Sequence, residues 1–212
     1  MNNLNASERG KAWLNYLTPE CLQALEYIEM MLVRENDVTP TFERILLPFH
    51  MIAPSEVKMI LICKEPYGGS MATGLPIEAN GEVWTKSSAA FKASISRWWS
   101  NVTTDNYIRC YYASGILLMN VSFTKINSID KRYAMTNSHY PLWCKFCYPF
   151  VRLMNSNRIP ILGLGVESRN LLATLSDQTI VHLNTFPKDT ATIYTFITLM
   201  DAMFEKYIVS ER

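Results

Sequence analysis

Four short apolar runs, separated by segments with helical patterns, constrain the fold of this chain more than any other feature of its sequence. Each run is apolar along its whole length instead of alternating, which is typical of a strand covered on both faces. We therefore expect an α/β fold with three layers, α/β/α, around a central four-stranded, mainly parallel sheet. The predicted strands span residues 57–63, 115–121, 158–164 and 179–183.

Helix signals lie between and around these runs. Thr18 and Pro19 have the arrangement of an N-cap followed by proline at the first helical position, and Thr39 and Pro40 repeat it. We expect a helix after each pair, the second one short, and a break or kink at Pro149 in a later helix. The longer predicted helices span residues 19–35, 86–99, 143–154, 167–175 and 191–207.

Length and composition fit one domain, residues 1–212. Apolar residues make up 49% of the 212 residues and charged residues 18%, so the chain can bury enough apolar surface to offset its conformational entropy. No apolar run approaches the roughly 18 residues of a membrane span, and the N-terminus lacks the apolar block of a secretion signal. We expect a soluble, intracellular protein with no membrane partner.

The five cysteines are an odd, scattered set, as expected for reduced thiols. Cys144 and Cys147 have the spacing of half a zinc site, but Cys110 and His139 are not spaced like the other half. Core cysteines are therefore expected, with no metal and no cofactor.

The formal net charge is only +1, so the chain as a whole does not attract polyanions. Contact with DNA would require a local patch. The alternative is that the basic residues are a scattered, solvated surface. The candidates for such a patch are Lys86, Lys92, Arg97, Lys125, Lys131, Arg132 and Lys188.

Polar or glycine-bearing segments follow each of the predicted strands. They are residues 64–70, Asn120, the turn 163–168 and residues 184–190. Folds of this class bind ligands beyond the carboxyl ends of the strands. We therefore expect four loops to meet at one cleft.

Several segments, taken in order, resemble family-1 uracil-DNA glycosylases over nearly the whole chain, with the poxvirus-type branch somewhat closer than the bacterial one. The loop, strand and water-activating turn of that family are similar to TPTFERILLPFHMIAPSEVKMILICKEPYGG, and the segment with its uracil-stacking aromatic residue is similar to TGLPIEAN. Its uracil-reading strand resembles GILLMNVSFT. Further similarities are TNSHYPLWCKF, PILGLGVES at the glycine-serine loop and NTFPKDTA at the DNA-intercalating loop.

The resemblance implies an enzyme that flips a uracil nucleotide out of DNA and cleaves its glycosidic bond. Two of the pocket positions match: Tyr67 stands where a tyrosine excludes the thymine methyl group, and Asn120 where an amide reads the pyrimidine edge. The alternative for Asn120 is an asparagine that caps the end of a strand.

The positions that carry the chemistry differ from the family pattern. Glu65 replaces an aspartate, which moves the carboxylate by about 1 Å, a displacement that can cost roughly a hundredfold in rate. Phe186 replaces the histidine whose hydrogen bond to the leaving uracil is worth about 3–4 kcal/mol. Ile77 replaces the stacking phenylalanine, which removes about 1–3 kcal/mol. Lys64 is expected either to pair with Glu65 or to contact phosphate.

Two further substitutions follow the same trend. Gly68 replaces a second histidine, and Thr190 stands where a leucine wedge enters the duplex. Together the losses raise the barrier by about 6 kcal/mol or more. A substitute histidine could come from His50, His139 or His182, although a core histidine is the expected role of His182.

We therefore predict a uracil-DNA glycosylase-fold protein with impaired or absent catalysis, which acts as a DNA-binding or protein-interaction module in DNA replication or repair. The alternative is an active glycosylase with a glutamate-based site. Exposed aromatic residues, one of Trp98 and Trp99 among them, would form a protein contact. DNA phosphates are expected at Ser70, Gly165, Ser168, Lys188 and Thr190.

Overall fold

The structure, a computed structural model, describes residues 3–80, 85–126, 139–173, 175, 180–183 and 185–210. Its centre is a parallel sheet of four strands, β2 (Met59–Cys63), β3 (Ile116–Asn120), β5 (Ile161–Leu164) and β6 (Ile180–Leu183). Their order in the sheet is β3-β2-β5-β6. Every residue of β2, β3 and β5 is buried, as the continuous apolar runs require of strands that are covered on both faces. The predicted α/β class is confirmed.

Each strand begins later than the sequence suggests. The first predicted run starts at residue 57, yet its ladder begins at Met59. Register places Cys63, at the end of β2, opposite Asn120, at the end of β3. Two backbone bonds extend this pairing, because Val121 donates to Cys63 and Ser122 donates to Lys64. The two carboxyl ends therefore lie side by side.

Eight α-helices surround the sheet in the described part of the chain. Helix α2 begins as predicted, because the Thr18 side chain accepts a hydrogen bond from the Cys21 N–H. Its buried stripe is Cys21, Leu25, Ile28 and Leu32. The helices are α1 (Glu8–Tyr16), α2 (Pro19–Leu32), α3 (Pro48–Met51), α4 (Lys86–Ile95), α5 (Tyr107–Ala113), α6 (Tyr140–Ser156), α7 (Gly165–Leu172) and α8 (Thr190–Met203), after which a π-helical segment spans Phe204–Val209.

The structure contradicts two expectations about proline, a helix opened by Thr39 and a break at Pro149. Thr39 does not open a helix, because Val38–Thr39 (β1) pairs with Lys125–Ile126 (β4) in a two-stranded antiparallel ladder, and the short 3₁₀-helix begins only at Phe42. Helix α6 continues through Pro149 without a break. Burial of Pro149, with stacked Phe146 and Phe150 beside it, offsets the one hydrogen bond that proline cannot make.

The cysteines and the tryptophan pair agree with what the sequence predicts. The five cysteines are free and buried. Trp99 is 39% exposed while Trp98 is half-buried and stacks on Phe204, so one of the two tryptophans lies at the surface as expected. Of the candidate patch, Lys131 and Arg132 lie outside the described residues. No helix in the described ranges is long and apolar enough to cross a membrane.

Candidate functional site

The loop after β2 carries Lys64 and Glu65 side by side, but their side chains take different partners. Lys64 Nζ lies 3.0 Å from Glu167 Oε1 at the start of α7. The expected pairing of Lys64 with Glu65 is therefore replaced by one with Glu167. The hydrogen bond that Lys64 donates to this carboxylate raises the pKa of Lys64, and burial opposes the increase. The pair joins the β2 loop to the β5–α7 turn.

The Glu65 carboxylate has a different partner from Lys64. Its Oε1 lies 3.8 Å from Lys125 Nζ in β4, and the two side chains are 26% and 23% exposed. Strand β3 ends at Asn120 and β4 begins at Lys125, so only four residues separate the two side chains in sequence. The carboxylate that the resemblance places at the reacting sugar is thus close to the Lys125 ammonium group of β4.

Asn120 ends β3 and is 3% exposed. Its Oδ1 is buried and has no hydrogen-bond partner among the described residues. A buried amide oxygen without a partner costs free energy, of the order of 1–3 kcal/mol. Such a group in a native fold is a candidate ligand contact, because a donor from a bound molecule would remove that cost.

The pocket positions Tyr67 and Ile77 are held by residues at the starts of α4 and α5. The Tyr67 hydroxyl is hydrogen bonded to Thr85 Oγ1 at 3.2 Å, and Thr85 caps α4. The Ile77 carbonyl accepts a bond of 2.8 Å from the Tyr107 hydroxyl. Ile77 has a φ of 64°, a left-handed conformation that is costly for a β-branched residue, so its loop is held in place by the surrounding contacts.

Phe186 lies against the turn that opens α7. A Cβ on Gly165 would sit 3.4 Å from the Phe186 ring, and Gly165 itself has a φ of 86° that favours glycine. The next residue, Pro187, accepts a 3.0 Å hydrogen bond from Ser87 at the start of α4. The loop after β6 is therefore fixed beside the same turn that carries Glu167.

Comparison with solved structures identifies the fold. Wild-type UNG, the uracil-DNA glycosylase of Nitratifractor salsuginis, superposes with a TM-score of 0.62 at 18% identity, over 90% of this chain and 91% of that one. The chain has the uracil-DNA glycosylase fold. A mutant of the same enzyme gives a TM-score of 0.65 at 16% identity, over 95% and 94% of the two chains.

A mimivirus UNG variant solved in complex with UGI also matches the glycosylase fold, with a TM-score of 0.56 at 18% identity over 83% of this chain and 72% of that one. No family model and no curated protein sequence matches the chain. At these identities the likeness establishes the fold, and the chemistry has to be argued from the side chains.

The residues predicted to contact DNA differ in their exposure to solvent. Lys188 and Thr190 are exposed, and Asp189 between them caps α8. Ser70 is exposed and lines a hollow of about 650 Å³ together with Thr39, Pro40, Arg44 and Asn80. Ser168, in contrast, is fully buried, and its hydroxyl donates to the carbonyls of Leu164 and Gly165. The Ser168 hydroxyl is therefore hydrogen bonded to the backbone at the start of α7 and does not face solvent.

The histidines with described side chains are engaged away from Phe186. His139 Nδ1 is hydrogen bonded to Thr124 Oγ1 at 2.8 Å, and His50 Nδ1 to Ser7 Oγ at 2.6 Å. Burial lowers the pKa of both. The side chain of His182 lies outside the described residues.

The site residues form one connected side of the fold. Phe186 touches the Gly165 turn, Glu167 in that turn binds Lys64, and Glu65 beside it reaches Lys125. The sequence alone does not single out Glu167, and it indicates Lys125 only as part of a DNA-contact patch or a solvated surface. The described residues hold no group of three or more His, Cys, Asp or Glu side chains arranged for a metal ion.

Proposed function

We propose that this protein binds a uracil-like pyrimidine nucleotide in DNA but excises the base poorly or not at all. The observation that carries the proposal is the position of Phe186, whose ring packs on the Gly165 turn where the glycosylase pattern calls for a histidine. A phenyl ring donates no hydrogen bond to a developing uracil anion. The loss of one such donor slows reactions of this type by a factor of about 10² to 10³.

Recognition of the base is supported by Asn120. Its buried Oδ1 has no partner in the described part of the chain, and the N3–H of uracil is a donor that would satisfy it. Tyr67 is fixed by its hydrogen bond to Thr85, so its ring is positioned in advance to exclude a larger base. Base reading can therefore survive the loss of chemistry.

Glu65 supports the catalytic deficit for a second reason. In an oxocarbenium-like transition state, a carboxylate stabilises the positive charge of the sugar. Lys125, 3.8 Å away, partly cancels that field, in addition to the displacement of about 1 Å that the longer side chain brings. Both changes weaken the same electrostatic effect.

DNA contacts are expected from exposed groups around the site. Lys188 and the hollow next to Ser70 are the candidates for phosphate, whereas Gly165 at the N-terminus of α7 is buried. Thr190 lies beside Lys188 without the apolar wedge of an intercalating residue. Because the net charge is only +1, we expect weak, salt-sensitive affinity.

Two assays test the proposal together. In the first, an end-labelled single strand with one deoxyuridine is incubated with the protein and then treated with alkali, which cleaves the strand wherever uracil has been released. In the second, binding of the same strand is followed by fluorescence anisotropy at several salt concentrations. Saturable binding with an intact strand supports the proposal, and Asn120→Leu should remove the preference for deoxyuridine over thymidine.

Other results would identify the alternatives. Efficient cleavage that is abolished in Glu65→Gln would make this an active glycosylase with a glutamate-based site. Absence of both binding and cleavage would leave a protein-interaction module in replication or repair. For that case the mimivirus UNG solved with UGI is a precedent for a protein bound to this fold.

A further inference from the structure

A second hollow lies at the opposite edge of the sheet from the candidate site. It has a volume of about 730 Å³, within the range of about 300–1,000 Å³ typical of small-molecule sites. Lys58 and Gly115, which directly precede β2 and β3, are part of its lining. Since each strand has five residues, the hollow is about 17 Å from the loops around Glu65 and Asn120. We call it the rear hollow.

The charges in the rear hollow favour an anion. Its lining includes three cations, Arg9, Lys58 and Arg109, and one carboxylate, Glu56. Glu56 already accepts a 2.8 Å hydrogen bond from the Ala53 N–H and lies 3.5 Å from Arg9. Arg109 is exposed on α5 and makes no ion pair with a described residue. Among the described residues, Arg109 therefore adds positive charge to the hollow beyond the Arg9–Glu56 pair.

The rear hollow also contains an aromatic platform that is fixed in place. Trp99 is 39% exposed, yet its indole N–H donates a 2.8 Å bond to Ser114 Oγ, which in turn donates to the Cys110 carbonyl. Trp98 stacks on Phe204 with ring centres 5.4 Å apart, and its N–H donates to Asp201. A large, partly exposed ring with a fixed orientation binds a flat partner with little further loss of entropy.

We propose that the rear hollow is a nucleotide site in which a nucleobase stacks on Trp99 and its phosphate is bound by Arg109. Aromatic faces beside cations are the combination that binds nucleobases and phosphates irrespective of sequence. A free nucleotide and a segment of single-stranded nucleic acid present the same chemistry to these side chains. The inference does not depend on the function of the site at the other edge of the sheet.

The test uses the whole protein and two probes, deoxyadenosine monophosphate and an oligodeoxyadenylate of about ten nucleotides, within the range of known single-strand site sizes. Quenching of tryptophan fluorescence and equilibrium dialysis measure binding. Trp99→Leu should weaken binding about tenfold, as expected for the loss of one base–aromatic stack. Arg109→Gln should weaken it by a similar factor and reduce its salt dependence, whereas Arg34→Gln, an exposed arginine after α2 outside the hollow, should have no effect.

Comparison of the probes identifies the source of the ligand. Similar affinities indicate a free nucleotide, and at least tenfold tighter binding of the oligomer indicates single-stranded nucleic acid; both results support the site if they depend on Trp99 and Arg109. The proposal is overturned if neither probe saturates or if the Trp99 and Arg109 variants bind like the wild type. Circular dichroism of the exposed Arg109→Gln variant checks that folding is intact, so a loss of binding cannot be attributed to unfolding. Asn120→Leu should leave this binding unchanged, which separates it from binding at the other edge.

Discussion

The carboxylate of Glu65 lies 3.8 Å from the ammonium group of Lys125. The contact joins the residue expected to stabilise a sugar cation to a residue of β4 whose charge has the sign of that cation. In the proposed function, this contact weakens the electrostatic effect of the acid that is retained at this position. The contact can be removed without removing the acid.

Lys125→Gln should therefore raise uracil release several-fold when it is introduced into a Phe186→His background. Lys125→Arg keeps the charge and serves as the matched control. Because both side chains are about a quarter exposed, the free energy of unfolding should change by less than about 1 kcal/mol. Equal release rates in the Gln and Arg variants would show that Lys125 does not weaken Glu65.

Asn120 should show opposite effects on stability and binding. Asn120→Leu replaces a buried amide whose Oδ1 has no described partner by an apolar group of similar size, so the free energy of unfolding should stay the same or rise by about 1 kcal/mol. Thermal melts measure this effect. The same variant should lose its discrimination between deoxyuridine and thymidine strands, and a large fall in melting temperature would indicate that Asn120 has a structural role instead.

The sequence predicts the strands well because burial on both faces leaves an uninterrupted apolar run. It predicts less well the elements with a short or sparse apolar stripe. Helix α1 was missed, and only Gly10 and Trp13 are buried in it. Helix α5 was missed as well, since seven residues rich in aromatic side chains give no clear period.

Ion pairs of the site could not be predicted for a different reason. Neighbouring residues on an extended chain point to opposite sides, so Lys64 and Glu65 diverge. Their actual partners, Glu167 at the start of α7 and Lys125 in β4, are distant in sequence and meet them only in the folded protein. The burial of Ser168 depends in the same way on which face of α7 meets the core.

The Lys64–Glu167 pair should make stability depend on pH at the alkaline end. The pKa of Lys64 is raised in the folded protein by its hydrogen bond to Glu167, so the pair stabilises fully below the ordinary lysine value of about 10.4 and loses its effect as pH rises through the higher folded value. Glu167→Gln should cost up to about 1 kcal/mol near neutral pH and less at high pH, because the pair is partly exposed. Urea unfolding at several pH values measures this, and a cost that does not depend on pH would contradict the assignment.

Lys188 should contribute to DNA affinity through charge alone. Lys188→Gln is expected to weaken binding of uracil and thymine strands equally and to reduce the salt slope by about 1. Lys145→Gln is the control, since that side chain lies over the Tyr27 ring on α2, away from the site. A change in base preference, or an unchanged slope, would exclude a phosphate contact at Lys188.

The central claim is that Phe186 marks the loss of base excision from a fold that still binds the base. Single-turnover release of uracil from a labelled strand, measured at saturating protein, tests it most directly. We predict release near background for the wild type and an increase of about 10² to 10³ for Phe186→His with Glu65→Asp, at similar strand affinity. Rapid release by the wild type, with no gain in the double variant, would contradict the claim.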